Sequence, residues 1–105
     1  MSERFERTST IEKPQHKKVN VWRAPYECTV VCVRAIKGGS GDVGCIARKN
    51  GVEFARVRAG SSFELGALTF GGAALEFEVG DSLVIEVVEG AGADYLTVQV
   101  EFEKK

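Results

Sequence analysis

The sequence predicts an all-β protein, a single antiparallel sandwich or barrel of seven or eight short strands. From residue 19 onward apolar and polar residues alternate with period two, and no window sustains the 3.6-residue period of a helix. The 12 glycines lie mostly between the apolar stretches, where turns are expected. A length of 105 residues suits one domain with a modest core.

The first 18 residues are predicted to be an extended N-terminal arm, preceding a β-sandwich domain over residues 19–105. This segment is charged, contains Pro14, and has only Phe5 and Ile11 as large apolar residues. So few apolar groups do not offset the entropy lost when the chain is ordered. We expect the arm to be flexible alone and to anchor on a partner through Phe5 and Ile11. The alternative is a frayed terminus without a role.

Turn residues divide the remainder of the chain into strands. Residues 28–36 are apolar on both faces, as in a buried central strand. Asn50-Gly51 is a strong hairpin signal, because a type I′ turn needs positive φ at both central positions. Residues 63–72 mix apolar residues with three glycines, so short strand pieces are expected there. The other predicted strands span residues 19–23, 43–48, 52–58, 74–79, 82–88 and 96–102.

The alternation also predicts which side chains form the core. In the last strand every second residue from Leu96 to Phe102 is apolar, and the residues between them are polar. The residues expected to be largely buried are Val30, Cys32, Val33, Phe54, Leu75, Phe77, Leu83, Ile85, Val87, Leu96, Val98 and Val100.

The three cysteines are Cys28, Cys32 and Cys45, an odd number that excludes a complete disulfide framework. No apolar leader precedes them and no run is long enough to span a membrane, so we expect free, buried thiols in a protein made in a reducing cytosol. Cys28 and Cys32 are expected on one face of a strand. The chain has one histidine, His16, so neither a zinc site nor another metal or cofactor site is predicted.

The sequence offers no catalytic constellation, so an enzyme is not expected. His16 lies in the polar N-terminal segment, apart from the serines of the Ser61-Ser62 turn. Burial of the thiols would raise their pKa values and make them unreactive. The carboxylates alternate outward along strands, as on solvated faces, and the glycine-rich stretch 38–41 lacks the ending of a phosphate-binding loop. A cupin-like enzyme would need a cluster of strand histidines.

The charges are distributed unevenly along the chain, although the net charge is −1. Residues 1–60 contain 12 Lys and Arg against 6 Asp and Glu, and residues 61–105 contain 2 against 9. Arg56 and Arg58 are expected to share one strand face with Phe54, as in single-strand nucleic-acid binders, but the acidic second half argues against nucleic-acid binding. We expect both arginines to pair with acidic residues of the same or a neighbouring subunit.

Four segments follow one another in a recognisable order: Ala24-Pro25 with TVVCVRA over residues 29–35, the Lys49-Asn50-Gly51 turn, Gly80-Asp81, and TVQVEF over residues 97–102. This order resembles small β-sandwich domains of tailed-bacteriophage virion proteins. It is also similar to the jelly-roll head of the complement and tumour-necrosis-factor superfamily, which has corresponding turns. The resemblance covers most of the chain and implies a jelly-roll-like sandwich.

The resemblance further implies a phage virion structural protein. The expected form is a homotrimeric capsid decoration (cement) protein, made in the host cytoplasm, which docks at the capsid surface on the major capsid protein or another virion protein. Its N-terminal arm would staple neighbouring subunits. The alternative is a tail-fibre or head-fibre tip that binds a receptor or carbohydrate. Trp22 suits either an interface anchor or a cap on the open end of the sandwich. The candidate interface residues are Phe5, Ile11, Trp22, Arg23, Arg56 and Arg58.

Overall fold

The computed structural model describes residues 3–14, 17–68, 75–90 and 92–105, which contain β-strands and no α-helix. His16, residues 69–72 of the predicted strand pieces and residue 74, the first of the strand predicted over 74–79, lie outside the described residues. The strands are β1 (Arg4–Glu12), β2 (Lys18–Arg23), β3 (Cys28–Gly39), β4 (Val43–Lys49), β5 (Val52–Ala59), β6 (Glu64–Leu65), β7 (Ala67–Leu68), β8 (Glu76–Phe77), β9 (Ser82–Glu89) and β10 (Ala93–Lys104).

The strands form two antiparallel sheets, which confirms the predicted all-β sandwich. Sheet A has the order β1-β10-β3-β6, with β8 pairing to β3 beside β6, and sheet B has the order β2-β9-β4-β5-β7. The last two strands of the chain are therefore inserted between strands from its first half. β10 lies between β1 and β3 in sheet A, and β9 lies between β2 and β4 in sheet B. Among the described strands, each strand lies in the other sheet from the one before it, except at the β4–β5 hairpin. This interleaving is a jelly-roll-like order.

The predicted β4–β5 hairpin is present, and its turn has the expected geometry. Asn50 has φ of 50° and Gly51 has φ of 85°, which are the positive values that a type I′ turn requires. The short segment after β5 then crosses between the sheets. Its residues pair first with β3 in sheet A, as β6, and then with β5 in sheet B, as β7.

The expectation of a separate, flexible arm over residues 1–18 is wrong for most of that segment. Residues 4–12 form β1, which pairs with β10 in an unbroken register from Arg4↔Glu103 to Glu12↔Tyr95. Ile11 is buried in the core and Phe5 packs against it. The segment belongs to the sandwich because Phe5 and Ile11 are six residues apart, an even spacing that places both on the inward face of one strand.

The expectation that Cys28 and Cys32 share a face is also wrong, because β3 contains a bulge. The pairing with β10 shifts between Val30 and Cys32, opposite Phe102 and Glu101. The extra residue reverses the in–out phase. Cys28 and Val30 therefore point into the core, whereas Cys32 lies half-buried on the outer face of sheet A.

The core between the sheets is entirely apolar among the described residues. Ten of the twelve predicted core residues are buried. Cys32 is half-buried for the reason just given, and Leu75 packs against the core from a partly exposed position. The largest fully buried side chains include Phe54, Phe77 and Phe102. No helix in the described part of the chain is long and apolar enough to cross a membrane.

Candidate functional site

An aromatic cluster closes one side of the sandwich, where the edge strands β1 and β2 lie opposite each other. It consists of Phe5, Trp22, Tyr26, Phe77 and Phe102. The Phe5 ring lies 5.7 Å from Trp22, 5.5 Å from Tyr26 and 5.3 Å from Phe102, measured between centroids. The first two contacts are edge-to-face, a favoured geometry for aromatic pairs. The cluster therefore fixes the start of β1 against both sheets.

Two cations cover the aromatic cluster from outside. The Arg7 guanidinium lies 5.0 Å from the Phe5 ring centroid and 4.9 Å from that of Trp22. The Lys104 ammonium lies 4.5 Å from the Tyr26 ring centroid. These distances are within the range of cation–π attraction. Arg7 faces inward on β1 because its aliphatic stem covers apolar surface while its charged end stays near solvent.

The candidate interface residues Phe5, Ile11 and Trp22 thus contact their own subunit. Phe5 and Ile11 were expected to anchor a flexible arm on a partner; in the structure they anchor β1 on the core of their own chain. Trp22 is half-buried and packs on Phe102 at 5.0 Å between ring centroids. This places Trp22 as a cap on the open side of the sandwich, one of the two roles considered for it. Arg23 is exposed at the end of β2.

Arg56 and Arg58 lie exposed on the outer face of β5, and each pairs within the chain. The expectation that they share a face with Phe54 is wrong, because the register with β4 shifts at Phe54, whose side chain is buried in the core. Arg56 donates two hydrogen bonds of 2.8 Å to the carboxylate of Glu53. Arg58 donates to Glu89 at 3.2 Å and lies 3.7 Å from Asp42. These carboxylates raise the pKa of each arginine. The expected pairing with acidic residues therefore occurs in the same subunit.

A polar network on the outer face of sheet A joins three strands through Arg34. Its guanidinium donates to Gln99 at 2.8 Å, to the Cys32 sulfur at 3.2 Å, and to Glu6 of β1. The Cys32 thiol donates to Glu101 at 3.4 Å. The network ties β1, β10 and β3 together across the sheet. The alternation of residues along each strand could have indicated which of these side chains share a face. For Cys32 it could not, because the bulge in β3 reverses the in–out phase between Val30 and Cys32.

The Lys49-Asn50-Gly51 turn and the Gly80-Asp81 turn contact each other. The Asn50 side chain donates to the Asp81 carboxylate at 2.8 Å and accepts from the Ser82 amide at 2.9 Å. Asp81 also accepts from the Glu78 amide at 2.8 Å. The hydrogen bond from the Glu78 amide lowers the pKa of Asp81 most, and the hydrogen bond from the Asn50 side chain lowers it further. The Asn50–Asp81 hydrogen bond therefore joins the β4–β5 hairpin to the turn before β9.

Beside this hydrogen bond lies a surface pocket of about 330 Å³ with charged walls. Lys105 contacts Glu76 at 2.7 Å, and Lys49 donates to the Glu76 carbonyl at 2.8 Å. The hydrogen bond from Lys105 lowers the pKa of Glu76. The opposite charges are thus paired across the pocket. Its lining consists of Glu27, Lys49, Asn50, Glu76, Phe77, Glu78, Asp81 and Lys105.

The thiols are free, and each has a raised pKa. Burial raises the pKa of Cys45 to about 12 and that of Cys28 to about 11. For Cys32, burial and the hydrogen bond to Glu101 raise the pKa against the opposing effect of Arg34. All three are therefore protonated and weakly nucleophilic near neutral pH. Within the described ranges, no group of three or more His, Cys, Asp or Glu side chains could hold a metal ion.

No protein-family model matches the chain. Its comparison with curated proteins likewise gives no match.

Proposed function

We propose that the chain is a structural protein of a phage virion, a capsid decoration protein that docks as a homotrimer on the major capsid protein and stabilises the shell. The proposal takes the chain to be non-catalytic. The observation that carries it is the contact between Asn50 and Asp81 within a jelly-roll-like strand order. Two of the four segments that carry the sequence resemblance, the Asn50 and Asp81 turns, are joined in this fold by a hydrogen bond.

The distribution of apolar surface supports a protein that works by association. The core has no buried polar or charged residue among those described, as is usual for a small globular domain. Outside the core, Phe63 and Leu65 remain 45% and 73% exposed on the segment that crosses between the sheets. A trimer or a shell would bury side chains of this kind. β1 contributes to such a particle as a folded strand.

The alternative, a fibre tip that binds a receptor or carbohydrate, has less support. Glycan-binding surfaces would need exposed aromatic side chains on the loops at one end of the sandwich. The exposed aromatic side chains among the described residues are Tyr95 and Phe63. Tyr95 is 38% exposed beside the glycine-rich loops, whereas Phe63 lies on the segment that crosses between the sheets, so the loops present one exposed aromatic side chain and not a group of them.

The proposal is tested by the mass of the native assembly and by co-sedimentation with phage shells that lack their own decoration protein. We expect a trimer at micromolar concentration and saturable binding. Replacing Phe63 and Leu65 by serine should weaken both, whereas Val79→Ser, also at an exposed apolar residue, should not. A monomer that binds no shell would contradict the proposal. A monomer with clear glycan-array hits would favour the fibre-tip alternative.

A further inference from the structure

We propose that β1 is an exchangeable strand, and that the edge of β10 which it occupies accepts β1 of a second copy of this chain. The inference concerns self-association alone and holds for whichever assembly the protein joins.

The first argument is that β1 is held on one edge only. In the described part of the chain it is the terminal strand of sheet A, paired with β10 and with no strand beyond it. The pairing is unbroken over nine residues. Departure of β1 would leave β10 with a row of unpaired amides and carbonyls, the kind of edge that captures another strand.

The second argument is that the vacated edge would select β1 itself. An incoming strand must place an aromatic ring among Trp22, Tyr26 and Phe102, where Phe5 lies, and an apolar side chain in the core where Ile11 lies. These two positions are six residues apart on one face. β1 of another copy meets both requirements and restores every contact, so a second copy is the partner that fits.

The third argument is strain in the connection that follows β1. Lys13 has φ of 46°, in the left-handed region that a residue with a Cβ atom disfavours. It also precedes Pro14, and a residue before proline favours an extended conformation. Pro14 is fully buried and closely packed, since a Cβ atom on Gly90 would lie 2.0 Å from the Pro14 carbonyl oxygen; this packing favours the closed form and opposes the strain at Lys13. Straightening at Lys13 would relieve the unfavourable φ and carry β1 away from its own subunit.

The balance between the closed and exchanged forms then depends on this connection. The contacts of β1 with β10 are the same in both forms, so they cancel. A short connection gives β1 an effective concentration on the order of millimolar at its own subunit. Relief of strain at Lys13 favours exchange, because strained hinge loops promote domain swapping. Exchange is therefore expected when copies are concentrated, as on a shared surface.

Thr10 and Thr97 provide a direct test. They are opposite each other in the β1–β10 register, and their hydroxyl oxygens are 2.9 Å apart. We would prepare a Thr10→Cys chain and an isotope-labelled Thr97→Cys chain, both with Cys32→Ser to remove the partly exposed thiol. The two chains would be refolded together at about 0.2 mM, below the millimolar effective concentration, and oxidised. Mass spectrometry would then detect a disulfide between labelled and unlabelled chains.

The matched control pairs Thr10→Cys with Glu101→Cys, because Glu101 lies opposite Glu6 and is out of reach of residue 10. One chain carrying both Thr10→Cys and Thr97→Cys should form the internal disulfide, which shows that the variants fold with this register. We expect a mixed-chain disulfide well above the control, and about tenfold less of it when Lys13→Gly removes the strain. A yield no higher than the control would overturn the proposal. An unchanged yield in Lys13→Gly would overturn the role of the connection.

Discussion

Replacing Phe5 by alanine distinguishes a structural first strand from a tether. Truncating a fully buried phenylalanine costs about 3–5 kcal/mol. Phe5 is half-buried, with ring contacts to Trp22, Tyr26 and Phe102, so we expect roughly half of that, about 2 kcal/mol. At a urea dependence of about 1–2 kcal/mol per molar for a small domain, the unfolding midpoint falls by roughly 1–2 M.

The assay uses the fluorescence of Trp22, the one tryptophan in the chain. Because Phe5 contacts Trp22, the emission of the folded state should change together with the midpoint. Val79→Ala is the control, since Val79 is 67% exposed and a surface truncation should stay within about 0.5 kcal/mol. If Phe5→Ala were no more destabilising than this control, β1 would contribute no packing and the reasoning would fail.

Three further predictions concern the core, one turn and the thiols. Ile85→Ala should destabilise the fold by about 2–5 kcal/mol in urea titrations, because Ile85 is 1% exposed; a loss under 1 kcal/mol would contradict its placement. Folding lowers the pKa of Asp81 below its usual 3.8, so its charge contributes stability that is complete above that pH and is lost as the pH falls through the folded-state pKa. Asp81→Asn should remove this contribution, so the thermal unfolding temperature of the variant should fall less on acidification than that of the wild type; equal falls would contradict the role of Asp81. In thiol titration of the native protein, Cys32 should react before Cys28 and Cys45, which are 0% and 3% exposed; equal rates would indicate that the core is open.

The long strands were predictable from the sequence because their inward positions are consistently apolar. The inward positions within residues 82–88 and 96–102 are all apolar, and the structure extends each of these strands by a few residues at most at either end. The Asn50-Gly51 turn was equally clear, since few residues other than Asn and Gly accept positive φ at two successive positions.

The first strand was missed because its inward positions are only partly apolar. Between Phe5 and Ile11 the inward residues are Arg7 and Ser9. Arg7 is accommodated at an inward position by stacking on Phe5 and Trp22, a tertiary contact that no local pattern reveals. The period-two spacing from residue 5 to residue 11 was the available signal, and hydropathy alone obscured it.

The bulge in β3 lies beyond sequence reasoning for a different reason. Residues 28–33 are nearly all apolar, so a change of phase at Val30–Cys32 leaves no trace in the pattern. The strand's apolar character was predictable, but the assignment of each cysteine to a face was not. The candidate site depends on this detail, because the outward Cys32 joins the Arg34 network.

The central claim, that residues 4–12 are an integral edge strand, is tested most directly by residue-resolved amide hydrogen exchange. The Lys13 amide donates to the Asp94 carbonyl at 2.9 Å and the Lys104 amide donates to the Glu3 carbonyl at 2.7 Å, which sets the phase of an antiparallel ladder. Amides of residues 5, 7, 9 and 11 should therefore be protected, and those of residues 6, 8 and 10 should exchange rapidly. Rapid exchange at every position from 4 to 12 would show a free tether and contradict the account.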